Sequence, residues 1–503
     1  MFEHSLAGQD AIDLVEEQLD KHTHGILNVL VSLEPQAAID AWLETLRAIE
    51  ELINLPNDLD DEVLERELVG LVLTEAKYSP RLKFVLHHLC YLYGADFVQR
   101  QKKLLIQLSA MHQSFAMHGI LQAAFGLSTI GRAIGYLQSR RRHFVGLLYL
   151  MGSGKCMGHT MITDNDALTW LLPQVEICGT TITGLLQQRV LGKLYDDFKL
   201  HVGLKGFTAS HDYPNLDELF LEAERVTITE RTPFFKSEVL ENVPTDRVFS
   251  AAELRNNINL IEEAFAEFEL EKTPFAAMAA LVRELSYEAQ GDFWITVTPD
   301  DLDMLADKHG VPSQYRQLLR FTNTTFVSAL NSYAPFVYVG SDLRSSVTLL
   351  SRFLYNLKNI CLYRKRRFQI RSGFVFEDRI KDELTKQGFT ILPVKRINRK
   401  EFDVVAIRDG VCFNVQCKNN LVDPSWIDLD PKRFIRTNRT LERYYERAIT
   451  KERSREELLK AHLGLERVEP FIISRFPIVT ANARIISLAR VRDFSTIAIE
   501  VLS

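Results

Sequence analysis

The sequence predicts an α+β fold in which a large, mainly α-helical N-terminal region precedes a smaller C-terminal α/β domain with a central mixed sheet. Signals that begin and end helices dominate residues 1–360, the net charge changes sign near residue 360, and a strong hairpin signal follows at residues 401–418. A chain of 503 residues is long enough for about two to four domains. We therefore expect a helical region over residues 1–360, with room for two subdomains, and an α/β domain over residues 361–503.

Two helices of the N-terminal region have clear end signals. Ser79 and Pro80 precede an apolar run that Gly94 is placed to terminate. Ser250 and the glutamate three residues later form a capping box ahead of a helix that should reach about Leu270. These signals are typical of ordinary globular helices.

The segment Leu104–Gly131 contains no Asp, Glu, Lys or Arg. Glutamine, serine and histidine side chains interrupt it, whereas a membrane span needs about 20 predominantly apolar residues. We expect a buried helix within a bundle and no membrane partner, with a span as the minor alternative. The six cysteines are scattered without metal-binding or CxxC spacing, and no signal peptide is apparent. This pattern predicts a reduced, cytoplasmic protein.

The overall net charge of −6 hides a strong asymmetry. Residues 361–503 carry 29 Lys and Arg against 19 Asp and Glu, a net of +10. Residues 1–360 carry 31 against 47, a net of −16. A basic C-terminal domain fits a nucleic-acid partner, although two solvated surfaces could differ this much by chance.

The pattern after residue 373 alternates between helix and strand periods. We expect a helix over residues 374–387, a strand over 389–394, a basic loop, a hairpin, a basic helical segment over 432–461 and closing strands at 471–474 and 484–489. The order helix, strand, strand, strand, helix, strand predicts a small α/β sandwich.

The hairpin brings polar side chains to one end of two strands. Asp409-Gly410 between apolar runs is a strong signal for a two-residue type I′ turn. Counting outward from that turn sets Asp403 opposite Gln416, with Lys418 two residues farther along the same face. A carboxylate, an amide and an ammonium therefore meet at one edge.

This edge is more than the polar face of an exposed hairpin. Apolar residues occupy both faces of the two strands, so the hairpin should be central in the sheet. Charges on a central strand are costly unless they are paired or bind a metal ion. Glu377, in the first turn of the predicted helix, could reach the same edge, although acids are common in first turns for dipole reasons.

The C-terminal domain resembles the PD-(D/E)XK, or restriction-endonuclease-like, nuclease superfamily, and within it the Mrr-type branch. The motifs that carry the resemblance are Gly373-Phe-Val-Phe-Glu377, Gly388-Phe389, Glu401-Phe-Asp403 and Gln416-Cys-Lys418. Phe402 stands where the family name has proline, and Gln416 stands where glutamate is commoner, which costs the site one negative charge. The Mrr-type branch also uses glutamine here.

The resemblance implies a restriction-endonuclease-like fold and four catalytic residues: Asp403, Gln416, Lys418 and Glu377. It implies Mg²⁺, or Mn²⁺, bound by Asp403, Glu377 and the backbone carbonyl of Cys417. Mg²⁺ prefers oxygen ligands and offsets the charge that develops when water attacks a phosphodiester. Lys418 would position that water, and Gln416 would give a neutral oxygen to the metal or orient a water.

A basic helical stripe accompanies these motifs. Arg436, Arg439, Arg443 and Arg447 recur at spacings of three and four residues. Together with Lys432 and Arg433 they form the predicted nucleic-acid-binding set. A solvated face with Glu–Arg pairs is the alternative. The adjacent Tyr444 and Tyr445 could stack on bases, but core and rim positions are the simpler expectation.

The sequence thus predicts a metal-dependent endonuclease, with DNA favoured over RNA and defence against foreign DNA as the role that the resemblance implies. The helical region could recognise the target, bind a protein partner, form a homodimer or restrain the nuclease. One alternative is a non-catalytic nucleic-acid-binding or scaffold protein with a degenerate nuclease fold. Another makes the helical region the main functional body and the C-terminal domain an adaptor.

Overall fold

The structure is a computed structural model, and it describes residues 4–75, 79–203, 206–210, 240–420 and 425–502. Within these ranges the chain is an α+β protein, with a large helical N-terminal region and a C-terminal mixed sheet. The predicted fold class is therefore confirmed at this level.

The helices of the N-terminal region are α1 Gly8–Val31, α2 Pro35–Asp58, α3 Glu62–Val69, α4 Pro80–Met117, α5 Leu121–Gly126, α6 Ile130–Leu150, α7 Asp164–Asp166, α8 Leu172–Leu194, α9 Ala251–Ala264, α10 Pro274–Tyr287, α11 Pro299–Lys308, α12 Ser313–Arg316, α13 Phe326–Leu330 and α14 Val347–Leu362. The C-terminal helices are α15 Arg366–Lys386, α16 Trp426–Leu429, α17 Pro431–Arg453, α18 Glu456–Leu463 and α19 Phe494–Leu502.

The strands are β1 His4–Ala7, β2 Lys199–Gly203, β3 Gly206–Ser210, β4 Trp294–Val297, β5 Val337–Val339, β6 Asp342–Ser346, β7 Thr390–Leu392, β8 Arg396–Ile397, β9 Lys400–Glu401, β10 Val404–Arg408, β11 Val411–Lys418, β12 Arg467–Ser474 and β13 Ile485–Ser487. Two small sheets, β1-β2-β3 and β4-β6-β5, lie in the helical region. The main sheet has the order β13-β12-β11-β10-β7.

The helix signals of the N-terminal region are largely confirmed. The helix that begins at Pro80 breaks at Gly94, whose φ of 83° and ψ of 171° are non-helical, and a second helical segment continues to Met117. Ser250 and Glu253 form the predicted capping box, but the helix ends at Ala264 and continues only as 3₁₀ turns.

The uncharged segment from Leu104 contributes Leu104, Leu108 and Met111 to the buried core of the helical region. It is not one helix, because a turn after Met117 separates α4 from α5. In the part of the chain that the structure describes, no helix is long and apolar enough to cross a membrane.

The main sheet is mixed, as predicted. β7, β10 and β11 pair antiparallel, whereas β11, β12 and β13 pair parallel. One face carries Val404, Phe413 and Ile473 and packs against α15 and α19. The other face carries Val405 and Cys412 and packs against α18. Apolar residues thus cover both faces of β10 and β11, and the hairpin is central.

The hairpin has the predicted register. Arg408 pairs with Val411, and Val405 pairs with Asn414. Asp409 and Gly410 have φ values of 53° and 77°, and two positive φ values define a type I′ turn.

Two local predictions in this domain are wrong, and one helix was not predicted. The first helix begins at Arg366, eight residues before Phe374, because the Ser372 hydroxyl donates to the Gln369 carbonyl and is accommodated inside the helix. The predicted basic loop folds as the small β8–β9 hairpin. The terminal helix α19 was not predicted, since its β-branched residues read equally well as strand.

The helical region and the C-terminal domain share one hydrophobic core. Phe434, Tyr445, Ile472 and Phe476 belong to the same buried cluster as the front helices. A buried polar contact lies beside it, where Arg142 of α6 donates to Asp428 of α16 over 3.2 Å. Asn331 donates to the same carboxylate over 2.9 Å.

Candidate active site

The four predicted catalytic residues lie at one edge of the main sheet. Asp403 directly precedes β10, and Gln416 and Lys418 are at the end of β11. Glu377 lies on α15, which packs on the face that Val404 and Val415 contribute to. All four side chains are half-buried. Asp403 interacts electrostatically with Glu377 and with Lys418, so these three predicted residues are neighbours.

Asp403 is held in place by the neighbouring strand. The ladder between β10 and β11 ends at the pair Val404 and Val415, so the predicted pair of Asp403 with Gln416 lies one residue beyond it. The backbone N–H of Cys417 donates to the Asp403 carboxylate over 2.8 Å. Burial raises the pKa of Asp403, while the Cys417 N–H and the Lys418 ammonium act to lower it. The carboxylate is thus oriented by the backbone of the strand that carries the lysine.

Glu377 approaches Asp403 from the helix side. Burial and the nearby Asp403 carboxylate raise the pKa of Glu377 to about 7. A buried acid close to a second carboxylate favours a cation between them. The pairing that the sequence could only suggest is present in the structure.

Lys418 forms no ion pair with a described residue, although its charge acts on Asp403. Its ammonium makes no hydrogen bond with these residues either, and Nζ lies 5.5 Å from the centre of the Tyr444 ring. A half-buried ammonium with free donors can bind an anionic oxygen or a water molecule.

Gln416 contains a buried oxygen that lacks a hydrogen-bond partner in the described structure. This atom is Oε1 of the side-chain amide. A buried acceptor without a partner costs about 1–3 kcal/mol, which a bound cation or water molecule would recover. Gln416 and Lys418 lie on the same face of β11 because strand side chains alternate.

These residues offer a donor set that suits Mg²⁺ but includes few acids. Among the described residues, no group of three or more His, Cys, Asp or Glu side chains is arranged to hold a metal ion. The candidate ligands are two carboxylates, the orphaned Gln416 Oε1 and the Cys417 carbonyl. All are hard oxygen donors, and one or two carboxylates suffice for Mg²⁺ that keeps several waters. The residues therefore fit the ion on the chemistry of the donor set.

A buried polar network beneath the site was not predicted. Asn414 of β11 donates to Glu452 over 3.0 Å, and Arg455 donates to the same carboxylate over 2.8 Å. Arg455 also donates to the Glu401 carbonyl over 3.3 Å. Glu452 acts to raise the pKa of Asp403. The only signal of this network in the sequence is the three-residue spacing between Glu452 and Arg455, which is common on exposed helices.

A second unpredicted network closes the carboxyl ends of β11 and β12. Tyr445 is fully buried, and its hydroxyl contacts Ser474 over 2.9 Å and accepts from Asn420 over 2.6 Å. Tyr444, by contrast, is 52% exposed. The expectation of one core and one rim tyrosine matches this arrangement, and the helix α17 is fixed to the strand that carries Lys418.

The predicted nucleic-acid-binding residues lie on α17, and all six side chains are exposed. None of them forms an ion pair with a described residue. The alternative of a face neutralised by Glu–Arg pairs therefore loses support. Arg447 lies three residues from Tyr444, on the helix side that faces Lys418.

Two of these six cations contact other helices of the chain. The Arg433 guanidinium stacks on the Trp426 ring at 3.7 Å. Arg439 donates to the Lys193 carbonyl at the end of α8 over 3.1 Å. These two side chains help to dock α17, so Arg436, Arg443 and Arg447 are the stripe residues with the most freedom to contact a ligand.

Comparisons of the chain with known protein families, with curated proteins and with solved structures found no match.

Proposed function

We propose that this chain is a metal-dependent nuclease that hydrolyses phosphodiester bonds, with DNA as the substrate and a restriction-endonuclease-like C-terminal domain. One observation carries the proposal. At the edge of a central hairpin, the oriented Asp403 carboxylate interacts electrostatically with the Lys418 ammonium, which forms no ion pair with a described residue. Gln416, two residues before that lysine on the same face of β11, carries a buried oxygen without a described hydrogen-bond partner. Burial of three such groups together is costly unless a ligand satisfies them.

The donor set assigns a role to each residue. Asp403, Glu377 and the Cys417 carbonyl would hold Mg²⁺ or Mn²⁺, and Gln416 would add a neutral oxygen. When bound, the ion supplies positive charge that offsets charge developing on the phosphate. Lys418 would bind the attacking water and orient it toward phosphorus. The Cys417 N–H fixes Asp403. The Asn414–Glu452–Arg455 network holds strand β11 through Asn414 and the backbone just before Asp403 through the Glu401 carbonyl.

The basic α17 stripe supports a nucleic-acid substrate. Its arginines are exposed, lack described ion pairs and lie on the helix that carries Tyr444 beside Lys418. Phosphate contacts of this kind position a strand without reading its sequence. Defence against foreign DNA is the biological role that the resemblance favours.

The test is a cleavage panel with the purified full chain. Plasmid, linear duplex, single-stranded DNA and RNA are incubated with Mg²⁺, Mn²⁺ or EDTA. We expect metal-dependent cleavage of DNA that Lys418→Ala and Asp403→Ala each abolish while the thermal unfolding midpoint stays within a few degrees of the wild type. Lys386→Ala, at the far end of α15, is the matched control and should cleave normally.

Full cleavage by either purified site variant would refute the assignment of the active site. A second candidate, a non-catalytic nucleic-acid-binding protein, is favoured by the small number of acids at the site. It predicts strand binding that is unchanged by EDTA and no cleavage with any metal ion.

A further inference from the structure

An exposed aromatic ring lies directly beside the candidate active site. The Tyr444 ring is 52% exposed, and Lys418 Nζ lies 5.5 Å from its centre. This ring borders the lysine that the proposed reaction requires.

The position of Tyr444 is fixed from below. Tyr445, its neighbour, is buried and bonded through its hydroxyl to Asn420 and Ser474 at the ends of β11 and β12. The two tyrosine rings are 5.8 Å apart. Because a rigid helix presents the ring, little conformational entropy is lost when a flat ligand packs against it.

The charge around the ring suits a nucleic-acid strand. Arg447 and Lys451, three and seven residues after Tyr444, lie on the same side of α17. Both are exposed and form no ion pair with a described residue. A positively charged track with an aromatic platform is how proteins bind single strands without sequence preference.

We infer that Tyr444 stacks on an unpaired base next to the scissile phosphate, so that the substrate is a single-stranded or flap-containing DNA. The inference rests on the proposed function, since it needs a phosphate at Lys418. In an intact duplex both faces of every base are covered by neighbouring bases. The Tyr444 ring can therefore stack only on a base that is already unpaired, or on a base that is first pulled out of the duplex at a cost in free energy.

Single-turnover cleavage by the full chain tests this inference. The substrates are one DNA sequence as a single strand, as a blunt duplex and as a duplex with a single-stranded flap. We expect the single strand and the flap to be cut faster than the duplex. Tyr444→Ala should slow single-strand cleavage by about tenfold to a hundredfold, the value of one base–aromatic stack. Tyr444→Phe keeps the ring and should stay near the wild type.

Abasic substrates separate stacking from a purely electrostatic effect of the ring on Lys418. Removing the base beside the cleavage position should slow cleavage by the wild type as much as Tyr444→Ala slows cleavage of the intact strand. The abasic strand should be cut by Tyr444→Ala no more slowly than the intact strand. Equal cleavage of duplex and single strand, or normal cleavage of the abasic strand by the wild type, would overturn the inference.

A binding measurement in EDTA tests the stacking site separately from the proposed nuclease activity. A single strand that carries 2-aminopurine at regular intervals should be quenched on binding to the wild type, and less so with Tyr444→Ala. Quenching without cleavage in any metal would retain the stacking site and refute the enzyme. Binding with equal quenching in both proteins would refute the stacking site.

Discussion

The neutral amide of Gln416 determines how much negative charge the candidate site offers to a cation. Its buried Oε1 has no described hydrogen-bond partner, and it lies opposite an acid whose pKa is already raised. A glutamate here would add a second negative charge beside Asp403. Without a cation that charge is destabilising, whereas with a divalent cation it adds a stronger ligand.

We therefore predict opposite effects of Gln416→Glu with and without metal. In EDTA the free energy of unfolding should fall by about 1–3 kcal/mol, because a buried carboxylate lacks a partner. In saturating Mg²⁺ the stabilisation by metal should exceed that of the wild type. Thermal unfolding in a Mg²⁺ titration measures both effects.

The size-matched variant Gln416→Met serves as control, because it removes the oxygen without adding charge. It should relieve the orphaned acceptor and weaken the response to Mg²⁺. A metal response of equal size in all three proteins would show that Gln416 does not face the ion.

At this scale, local rules could predict the residues that the hairpin aligns but not the residues that support them. Asp403, Gln416 and Lys418 follow from turn type and alternation over 16 residues of chain. Glu452 reaches Asn414 only because α17 packs across the sheet. No spacing in the sequence encodes that packing.

The helix α17 combines two functions along one element. Its buried residues dock it to the sheet and the front helices, and its exposed residues form the basic stripe. Arg433 and Arg439 contact the chain itself, while Arg443 and Arg447 face outward. Charge on the outward residues should therefore affect ligand binding and leave folding unchanged.

We predict that the double variant Arg443→Gln/Arg447→Gln weakens binding of single-stranded DNA and makes it less dependent on salt. Each lost phosphate contact should reduce the slope of log K against log salt by about 0.7. Fluorescence anisotropy at several salt concentrations in EDTA measures the slope. Lys102→Gln/Lys103→Gln, on the exposed side of α4, is the matched control. An equal loss of slope in the control would exclude a local contact.

Elements were predictable where a strong local signal and the tertiary structure agree. The Asp409-Gly410 turn and the glycine break at Gly94 are such cases. They were not predictable where packing overrides propensity. Ser372 is tolerated within α15 because Asn419 and Gln369 satisfy its hydroxyl. The strand-like sequence of α19 is helical because Phe494 and Ile497 pack on the sheet.

At the scale of the whole molecule, a buried ion pair joins the helical region to the C-terminal domain. The side chains of Arg142 and Asp428 are 7% and 2% exposed. Asn331 and Arg189 also bond to Asp428. Loss of one charge from such a pair leaves the other ion in a medium of low dielectric constant.

We predict that Asp428→Asn lowers the free energy of unfolding by about 3–5 kcal/mol. The double variant Arg142→Met/Asp428→Asn should lose less than the single variants Arg142→Met and Asp428→Asn together. Urea unfolding of the four proteins gives this coupling energy. Asp430→Asn, at an exposed cap two residues away, is the control and should cost less than about 0.5 kcal/mol, because asparagine caps a helix about as well as aspartate. Additive losses would show that the pair does not couple the two regions.

The shared core carries a further consequence for how this protein can change over time. Phe434, Ile472 and Phe476 of the C-terminal domain are buried among side chains of the front helices. A recombination event that exchanged only the N-terminal region would expose these residues or set them against surfaces of the wrong shape. Substitutions on either side of this boundary are therefore constrained by the other side. We expect the two regions to be inherited together as one unit, with any change of substrate arising on the exposed side of α17.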